Sequence, residues 1–316
     1  MASALSISAI VVTRNRERYL RESVRSLMEQ SLPTSDYEVI VVNNGSTDGT
    51  ADVVASMKRC HDNLRYVFAG TEGSSRARNA GLAEARAPIV AYIDDDAVAS
   101  HTWLEEMLRT FERFDPRPAC VGGRILPLWE TAPPAWFPRR YLPSLSMLDL
   151  GDEARQLKEL EFIVGANMAF VRDELVAAGG FNDEISLYAD EIYVQDRIRE
   201  RGGVIVYAPA PWVHHHVPAG RLTLEYMRRR KYRGGKGEIS ILTERLGTGG
   251  ATRLLLTNVV MRPLHLARLA LALAFNTATG REAAAIENKI QLSRSRGMMV
   301  QASVLLSRRI RSRLRR

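Results

Sequence analysis

Glu38-Val39-Ile40-Val41-Val42-Asn43-Asn44-Gly45-Ser46-Thr47-Asp48-Gly49-Thr50 decides the fold. A short run of β-branched residues without polar alternation reads as a strand buried on both faces. It opens into a turn carrying two glycines, and Asp48 or Thr50 then supplies the short polar side chain that caps a helix. Strand, polar turn and helix start in thirteen residues are the repeat unit of an α/β sheet.

Working outward, the same unit recurs. Residues 5–12 form a continuous β-rich run, and 18–29 carry Tyr19, Leu20, Val24, Leu27 and Met28 at helical spacing. Residues 51–58 read as a helix, 64–68 as a strand, 75–85 as a helix, 89–93 as a strand and 101–113 as a helix. Apolar strands alternating with amphipathic helices predict a mostly parallel, Rossmann-like sheet with helices on both faces. Ligands of such sheets bind beyond the carboxyl ends of the strands. Residues 126–143 break the pattern with five prolines among Trp129, Trp136 and Phe137, and are expected to be neither helix nor central strand. They read as a structured surface loop or as an acceptor-facing loop whose rings stack on sugars. Regular structure resumes at 162–171, 191–201 and 204–207.

The chain has 316 residues and a formal net charge of +8, which hides a division. From Arg221 onward, 21 Lys/Arg stand against 5 Asp/Glu, a net +16, and the remainder nets −8. The boundary is placed at 220: a catalytic domain over 1–220 and a basic helical extension over 221–316. Residues 227–233 are strongly basic, 253–275 are helical in pattern, and 307–316 form a polybasic tail. A basic amphipathic helix suits anionic lipid at a membrane surface. No nucleic acid is expected, because the tail lacks interleaved aromatics for base stacking. No uncharged apolar run approaches the eighteen or so residues a bilayer span needs. The first residues lack the basic leader of a signal peptide. Two cysteines, Cys60 and Cys120, make no disulfide framework. The expected location is therefore cytoplasmic, without a span.

Five clusters carry chemistry. Asp94, Asp95 and Asp96 end a strand, and three adjacent carboxylates repel one another unless a cation offsets them. Side chains two apart in extended chain point the same way, so Asp94 and Asp96 share a task that Asp95 does not. Oxygen ligands suit Mg²⁺ or Mn²⁺. The Asn43–Thr50 turn offers backbone N–H groups and Asn44 for a base edge; its bland reading is an ordinary capped turn. Arg76 and Arg78 near a helix start suit phosphate or solvent equally. The acidic pair Asp190-Glu191 caps a helix by its dipole or supplies a general base. His214, His215 and His216 are three of only six histidines, and one of them suits the cation.

In order, Thr13-Arg14-Asn15-Arg16, the Asn43–Thr50 turn, Arg78-Asn79-Ala80-Gly81-Leu82, Asp94–Asp96, Gly165–Phe170, Gly179-Gly180-Phe181-Asn182, the acidic pair and the late histidine resemble family 2 glycosyltransferases over roughly residues 5 to 217. The resemblance implies a GT-A nucleotide-diphospho-sugar transferase fold, Mg²⁺ or Mn²⁺, and inverting single displacement from a UDP-, GDP- or dTDP-linked donor. The acceptor hydroxyl is implied to be on a glycan or lipid-linked sugar of cell-surface polysaccharide or glycolipid assembly. It puts Thr13, Asn15, Glu17, Asn44, Arg78, Asp94 and Asp95 at the nucleotide-sugar, Asp96 and His215 at the metal, and Glu191, with Asp190 second, at the base. Two positions depart from the family pattern. Asn43 stands where an Asp often begins the turn, and the usual Glu-Asp pair is inverted, which lengthens the presumed base by about 1.5 Å. The alternatives are a catalytically inactive sugar-nucleotide-binding relative and a nucleotidyltransferase. The latter would carry a glycine-rich loop where this chain has Thr13-Arg14-Asn15-Arg16.

Overall fold

The computed structural model describes residues 5–70, 72–182 and 190–314; Ala189, beside the acidic pair, and Arg315-Arg316 of the basic tail lie outside them. The chain divides into two compact units, Met1–Leu128 with Ser146–His216, and Trp129–Leu145 with Val217–Arg316.

The first unit is built on a mixed sheet. Its strands are β1 (Ile7–Thr13), β2 (Tyr37–Asn43), β3 (Leu64–Phe68), β4 (Ile89–Asp94), β5 (Ala97–Ala99), β6 (Cys120–Trp129), β7 (Arg155–Gln156), β8 (Asn167–Val171) and β9 (Ile205–Val217). The order is β3-β2-β1-β4-β8-β6-β9-β5, with β7 on β9. β1 pairs in parallel with both β2 and β4, and β2 with β3. β8 then runs antiparallel to β4 and β6. The unbroken apolar runs are explained by burial: every residue of β2 is buried.

Helices α1 (Glu17–Met28), α2 (Thr50–Lys58), α3 (Ser74–Glu84) and α4 (Trp103–Arg113) follow the strands that the sequence pairs them with. α1 packs on α2, and α3 lies on β1 and β2. Right-handed crossovers require this division, because the chain moves outward from β1 to β3 and then returns across β1 to β4. The reversal of strand order falls between β1 and β4, where open α/β sheets bind ligands. Below it the core continues through Ile10, Ile40, Tyr92, Phe170, Phe181 and Tyr207. Tyr92, Phe170 and Phe181 meet edge to face at 5.2–6.1 Å between centroids, a favoured ring geometry.

Three elements differ from the sequence-based expectation. β6 runs through Pro127 to Trp129, so the proline-bearing segment begins as strand; Pro127 lies past the Cys120–Gly122 stretch that pairs with β8. β9 extends from the expected 204–207 to Val217 and carries all three histidines. β5, three residues long, gave no periodic signal. Helix α5 (Arg172–Ala177) precedes α6 (Asp190–Glu200), which begins at the acidic pair. Cys60 is exposed and Cys120 buried, and both are free thiols.

The second unit consists of α7 (Leu224–Arg245), α8 (Thr248–Ala278) and α9 (Glu282–Leu314), with a 3₁₀ turn over Arg139–Leu145. α7 and α9 approach closely at glycine: a Cβ on Gly235 would meet the Arg294 carbonyl, and one on Gly297 the Tyr232 carbonyl. Arg294 and Glu238 form a two-pronged pair at 2.7 and 2.9 Å across these helices. The small apolar centre is Ile239, Leu255, Met298 and Ala302. Trp129, Trp136 and Tyr141 each set a ring edge against Phe137.

No uncharged run reaches span length, but one helix interrupted by a few arginines is apolar overall. By length and composition alone α8 is long and apolar enough to cross a bilayer, and most of it is not buried. Arg253, Arg262 and Arg268 punctuate its apolar residues.

Candidate functional site

The site is assembled at the carboxyl ends of β1, β2 and β4. Thr13 ends β1, buried and in register with Asn43 of β2. The chain then needs a sharp turn, and Asn15 makes it with φ of 52°, a left-handed conformation that Asn tolerates better than most residues. In that position its Oδ1 accepts from the Thr47 N–H at 2.7 Å, while its own N–H donates to Ser46 Oγ at 3.0 Å. Glu17 opens α1 with its N–H donating to Asp48 Oδ2 at 3.2 Å. The Glu17 carboxylate lies over Gly49, where any Cβ would collide with it. Asn43 caps the turn: its Oδ1 accepts from Ser46 N–H at 2.7 Å and its Nδ2 donates to Tyr66 at 2.8 Å. Asn44 is buried, with Oδ1 accepting from Gly73 N–H at 3.2 Å. The turn after β2 and the loop after β1 are thus one hydrogen-bonded wall.

The acidic triplet divides as alternation predicts. Asp94 and Asp96 face the same way, and His215 meets them: its Nε2 lies 3.2 Å from Asp96 and 3.7 Å from Asp94. The reason is the register of β5 on β9, where Ala97 stands opposite His215 immediately after the triplet. Its neighbours take other directions. His216 pairs with Glu22 at 3.0 Å and packs on Tyr19, and His214 packs on Trp212. Burial alone would lower the His215 pKa, but Asp96 and Asp94 override it and hold it up at about 9. Asp95 is buried on its own, paired to Arg16 at 3.1 Å. Burial pushes its carboxyl up, against the pull of Arg16.

The donor set Asp94, Asp96 and His215 brings three ligand atoms within 4.8 Å of one another. Two hard carboxylates and one imidazole fit Mn²⁺ or Mg²⁺. Negative charge strong enough to keep a buried histidine protonated is the electrostatic condition under which a cation substitutes for the proton.

Arg78 joins this cluster to the acidic pair. From the first turns of α3 it reaches Asp190 at 2.5 Å and Asp94 at 4.0 Å, with its guanidinium over the Phe181 ring at 5.4 Å. Gly165 leaves room beside it, since a Cβ there would lie 2.9 Å from Arg78 Nη2. Asn79 fixes the other wall by a reciprocal pair with the Phe181 backbone, at 2.7 and 2.9 Å. This accounts for the Arg78-Asn79 and Gly179–Asn182 motifs together. Asp190 also accepts from Ser75 Oγ at 3.1 Å. Burial would raise Asp190, but Arg78, Glu191 and Ser75 hold it below the usual carboxylate range. Glu191 behaves oppositely: burial first, then the Asp190 charge, pushes it up to about 8.

All eleven residues singled out from sequence therefore lie around the strand ends, but not in one cluster. Asp94, Asp96 and His215 converge, Arg78 links them to Asp190 and Glu191, and Thr13, Asn15, Glu17 and Asn44 build the adjoining wall. Asp95 stays outside the cluster and pairs with Arg16, which it shares with Asp96. The sequence reading missed Arg16, which bonds Asp96 Oδ2 at 2.6 Å as well as Asp95 and so ties the wall to the triplet. The signal was its place two residues after Arg14, but spacing does not tell which arginine turns inward. It missed Ser75 as well. Asn167, inside a flagged motif, is structural: it bonds Trp103 Nε1 and the Arg124 and Pro211 carbonyls.

Nucleotide-binding topology, a carboxylate-histidine cluster at the switch point and a second acidic pair bridged to it by arginine define the class: a GT-A glycosyltransferase fold. Solved structures agree. A mannosyltransferase of Pyrobaculum calidifontis, PcManGT in complex with GDP-Man and Mn²⁺, superposes with TM-score 0.65 at 21% identity over 96% of this chain and 87% of that one. S. aureus TarS 1–349 in complex with UDP does so with TM-score 0.55 at 15% identity, over 92% and 91%. The chain spans 44% of a longer TarS structure. Residues 8–178 match Glycosyl transferase family 2, and the chain belongs to that family. A curated relative, the glucosyl-dolichyl phosphate glucuronosyltransferase of Haloferax volcanii, is 26% identical over 242 residues, covering 72% of this chain and 74% of its own.

Proposed function

We propose that this glycosyltransferase moves a sugar from a nucleoside-diphosphate donor to an acceptor hydroxyl with inversion, assisted by Mn²⁺ or Mg²⁺. The observation that carries the reading is the Asp94, Asp96 and His215 cluster, set one arginine away from Asp190 and Glu191. Asp94, Asp96 and His215 would hold the cation, which neutralises charge on the leaving diphosphate when bound. Arg78 orients Asp94 and Asp190 and presents its charge to the donor phosphates. Asn15, Asn44, Glu17 and Thr13 line the nucleoside side.

Glu191 is the general base. Asp190 is held ionised by Arg78 and Ser75, so its basicity is spent on those partners. Glu191, with its pKa near operating pH, suits proton abstraction better. As the acceptor oxygen bonds to the anomeric carbon, the carbon–oxygen bond to phosphate breaks and the hydroxyl proton passes to the Glu191 carboxylate.

Similarity to the Haloferax glucosyl-dolichyl phosphate glucuronosyltransferase supports a lipid-linked or glycan acceptor in glycolipid or polysaccharide assembly. It also supports a cytoplasmic enzyme held peripherally at the inner face of the membrane. A panel of UDP-, GDP- and dTDP-sugars with Mn²⁺ tests the reading. The expected products are a nucleoside diphosphate and a sugar of inverted anomeric configuration. Pyrophosphate release instead would establish a nucleotidyltransferase, and retention of configuration would remove the single displacement.

A further inference from the structure

α8 carries an outer face that no described element covers. Leu256, Val260, Met261, Leu264, Leu271 and Phe275 are all exposed, from 47% at Leu256 to 72% at Leu271. Their spacing follows the helical period, so they form one stripe. At 1.5 Å per residue the stripe runs for about 30 Å. The opposite face is in use: Ala251, Leu255 and Asn258 are buried, and α8 packs along α9. A contiguous apolar stripe of this length exceeds what solvated proteins leave uncovered without a partner.

Charge selects the occupant. No Asp or Glu occurs between Glu244 and Glu282, whereas Arg253, Arg262, Arg268 and Arg281 fall within that stretch. Arg253 and Arg268 are exposed with the stripe. Apolar surface ringed only by cations complements the acyl boundary and anionic headgroups of a lipid leaflet. A second copy of the chain fits poorly. A self-complementary contact through this face would set the Arg268 side chains of both copies in apolar surroundings with no carboxylate on the same helix. Crossing the bilayer fits poorly too. α9 lies along α8 and carries Glu287, Lys289, Arg294 and Arg296, which a transverse insertion would take into hydrocarbon.

We propose that the outer face of α8 docks flat on an anionic membrane surface, with Leu256 to Phe275 in the headgroup–acyl boundary and Arg253 and Arg268 at the lipid phosphates. This deepens the peripheral location proposed above and rests on it. It is independent of the transfer chemistry.

The full chain is sedimented with vesicles of phosphatidylcholine alone and of equimolar phosphatidylcholine and phosphatidylglycerol. Binding to the anionic vesicles is expected. Leu264→Glu with Leu271→Glu removes two exposed leucines and should lower partitioning about 100-fold, roughly tenfold for each lost side chain. Because both positions are exposed, helix content and donor turnover should stay unchanged. Arg268→Gln should cost about five-fold on the anionic vesicles and nothing on phosphatidylcholine. Depth is read from Leu256→Cys, Leu264→Cys and Phe275→Cys, labelled fluorescently in a Cys60→Ser background and quenched by lipids brominated at graded depths. Equal shallow depth at all three supports docking in the plane. A depth maximum at one label, with the others graded, establishes a span and overturns the proposal. Wild-type binding by the double glutamate variant overturns it as well, as does a dimer that the variant dissolves without any vesicle binding. Absence of vesicle binding by the wild-type chain, with donor turnover intact, sinks this inference and leaves glycosyl transfer standing. Loss of turnover with binding intact does the reverse.

Discussion

In the α/β unit, charged groups are drawn inward and satisfied by one another. Asp95, Asp96, Asp190 and His215 are buried, and Arg16 and Arg78 bridge them. In the helical unit, the large apolar side chains of α8 face outward, bordered by arginine. Burying ions costs several kcal/mol each unless geometry repays it. Exposing a 30 Å apolar stripe likewise forgoes about 25 cal/mol for each Å² left in water. Neither arrangement serves the stability of its own unit. The functions proposed above would account for each by something absent from the chain itself: a cation with its nucleotide in one case, a lipid surface in the other. Departures from the ordinary partition of polar and apolar residues mark where a protein meets its ligands.

Substitutions in the α/β unit should abolish chemistry and leave vesicle binding untouched, which separates the two halves of the comparison. The largest effect is expected from Asp96→Ala, which deletes a proposed cation ligand: donor turnover should fall about 10⁴-fold, equivalent to several kcal/mol of lost transition-state stabilisation. Steady-state kinetics with a Mn²⁺ titration checks it, and turnover within tenfold of wild type would remove Asp96 from the site. Glu191→Gln should follow, at about 10³-fold in kcat with KM little changed, as expected for loss of a general base. Its wild-type signature is in pH. The carboxyl is raised to about 8, and the base acts only when ionised, so kcat/KM should fall as pH drops below that value and level off above it. A flat profile from pH 6 to 9 would exclude this group as the base.

Smaller effects probe the supports. Arg16→Gln leaves the ligands in place but releases Asp96 Oδ2 and Asp95. Removing an outer partner of a ligating carboxylate typically costs about 10–100-fold in metal affinity, to be read by calorimetric Mn²⁺ titration. Equal affinity would make Arg16 a structural pair only. Gly165→Ala should be the mildest. Its Cβ would stand 2.9 Å from Arg78 Nη2, and the long arginine can yield by a few tenths of an ångström. An increase of a few-fold in donor KM with unchanged kcat is expected, and a change in kcat alone would place Arg78 in the transition state rather than in binding.

The same contrast governs what could be read from sequence. Apart from β5, the strands and helices of residues 5–113 were legible because each strand is an unbroken apolar run and each helix carries its own period, and tertiary packing only moved their ends by a residue or two. The split of Asp94 and Asp96 from Asp95 was legible from alternation along extended chain. The choice of His215 came from the family resemblance. What fixes it physically is the β5–β9 register, a pairing across more than a hundred residues that no local pattern encodes. Arg16 was illegible for a similar reason: its partners lie 79 and 80 residues away. β5 and the long extension of β9 were missed because a three-residue strand has no period, and because the prolines and histidines of β9 mimic a loop. The exposed apolar face of α8 was illegible because what matters there is which side is covered, and only packing decides that.

The convergence of Asp94, Asp96 and His215 on one divalent cation is tested most directly by electron paramagnetic resonance titration of Mn²⁺ into the full chain. It is run with and without nucleoside diphosphate, for wild type and for Asp96→Ala and His215→Ala. One bound Mn²⁺ per wild-type chain is predicted, tightened by the matching nucleotide and lost or weakened at least tenfold in both variants. Wild-type and variant proteins that bind Mn²⁺ alike, or a nucleotide that leaves its affinity unchanged, would contradict the account.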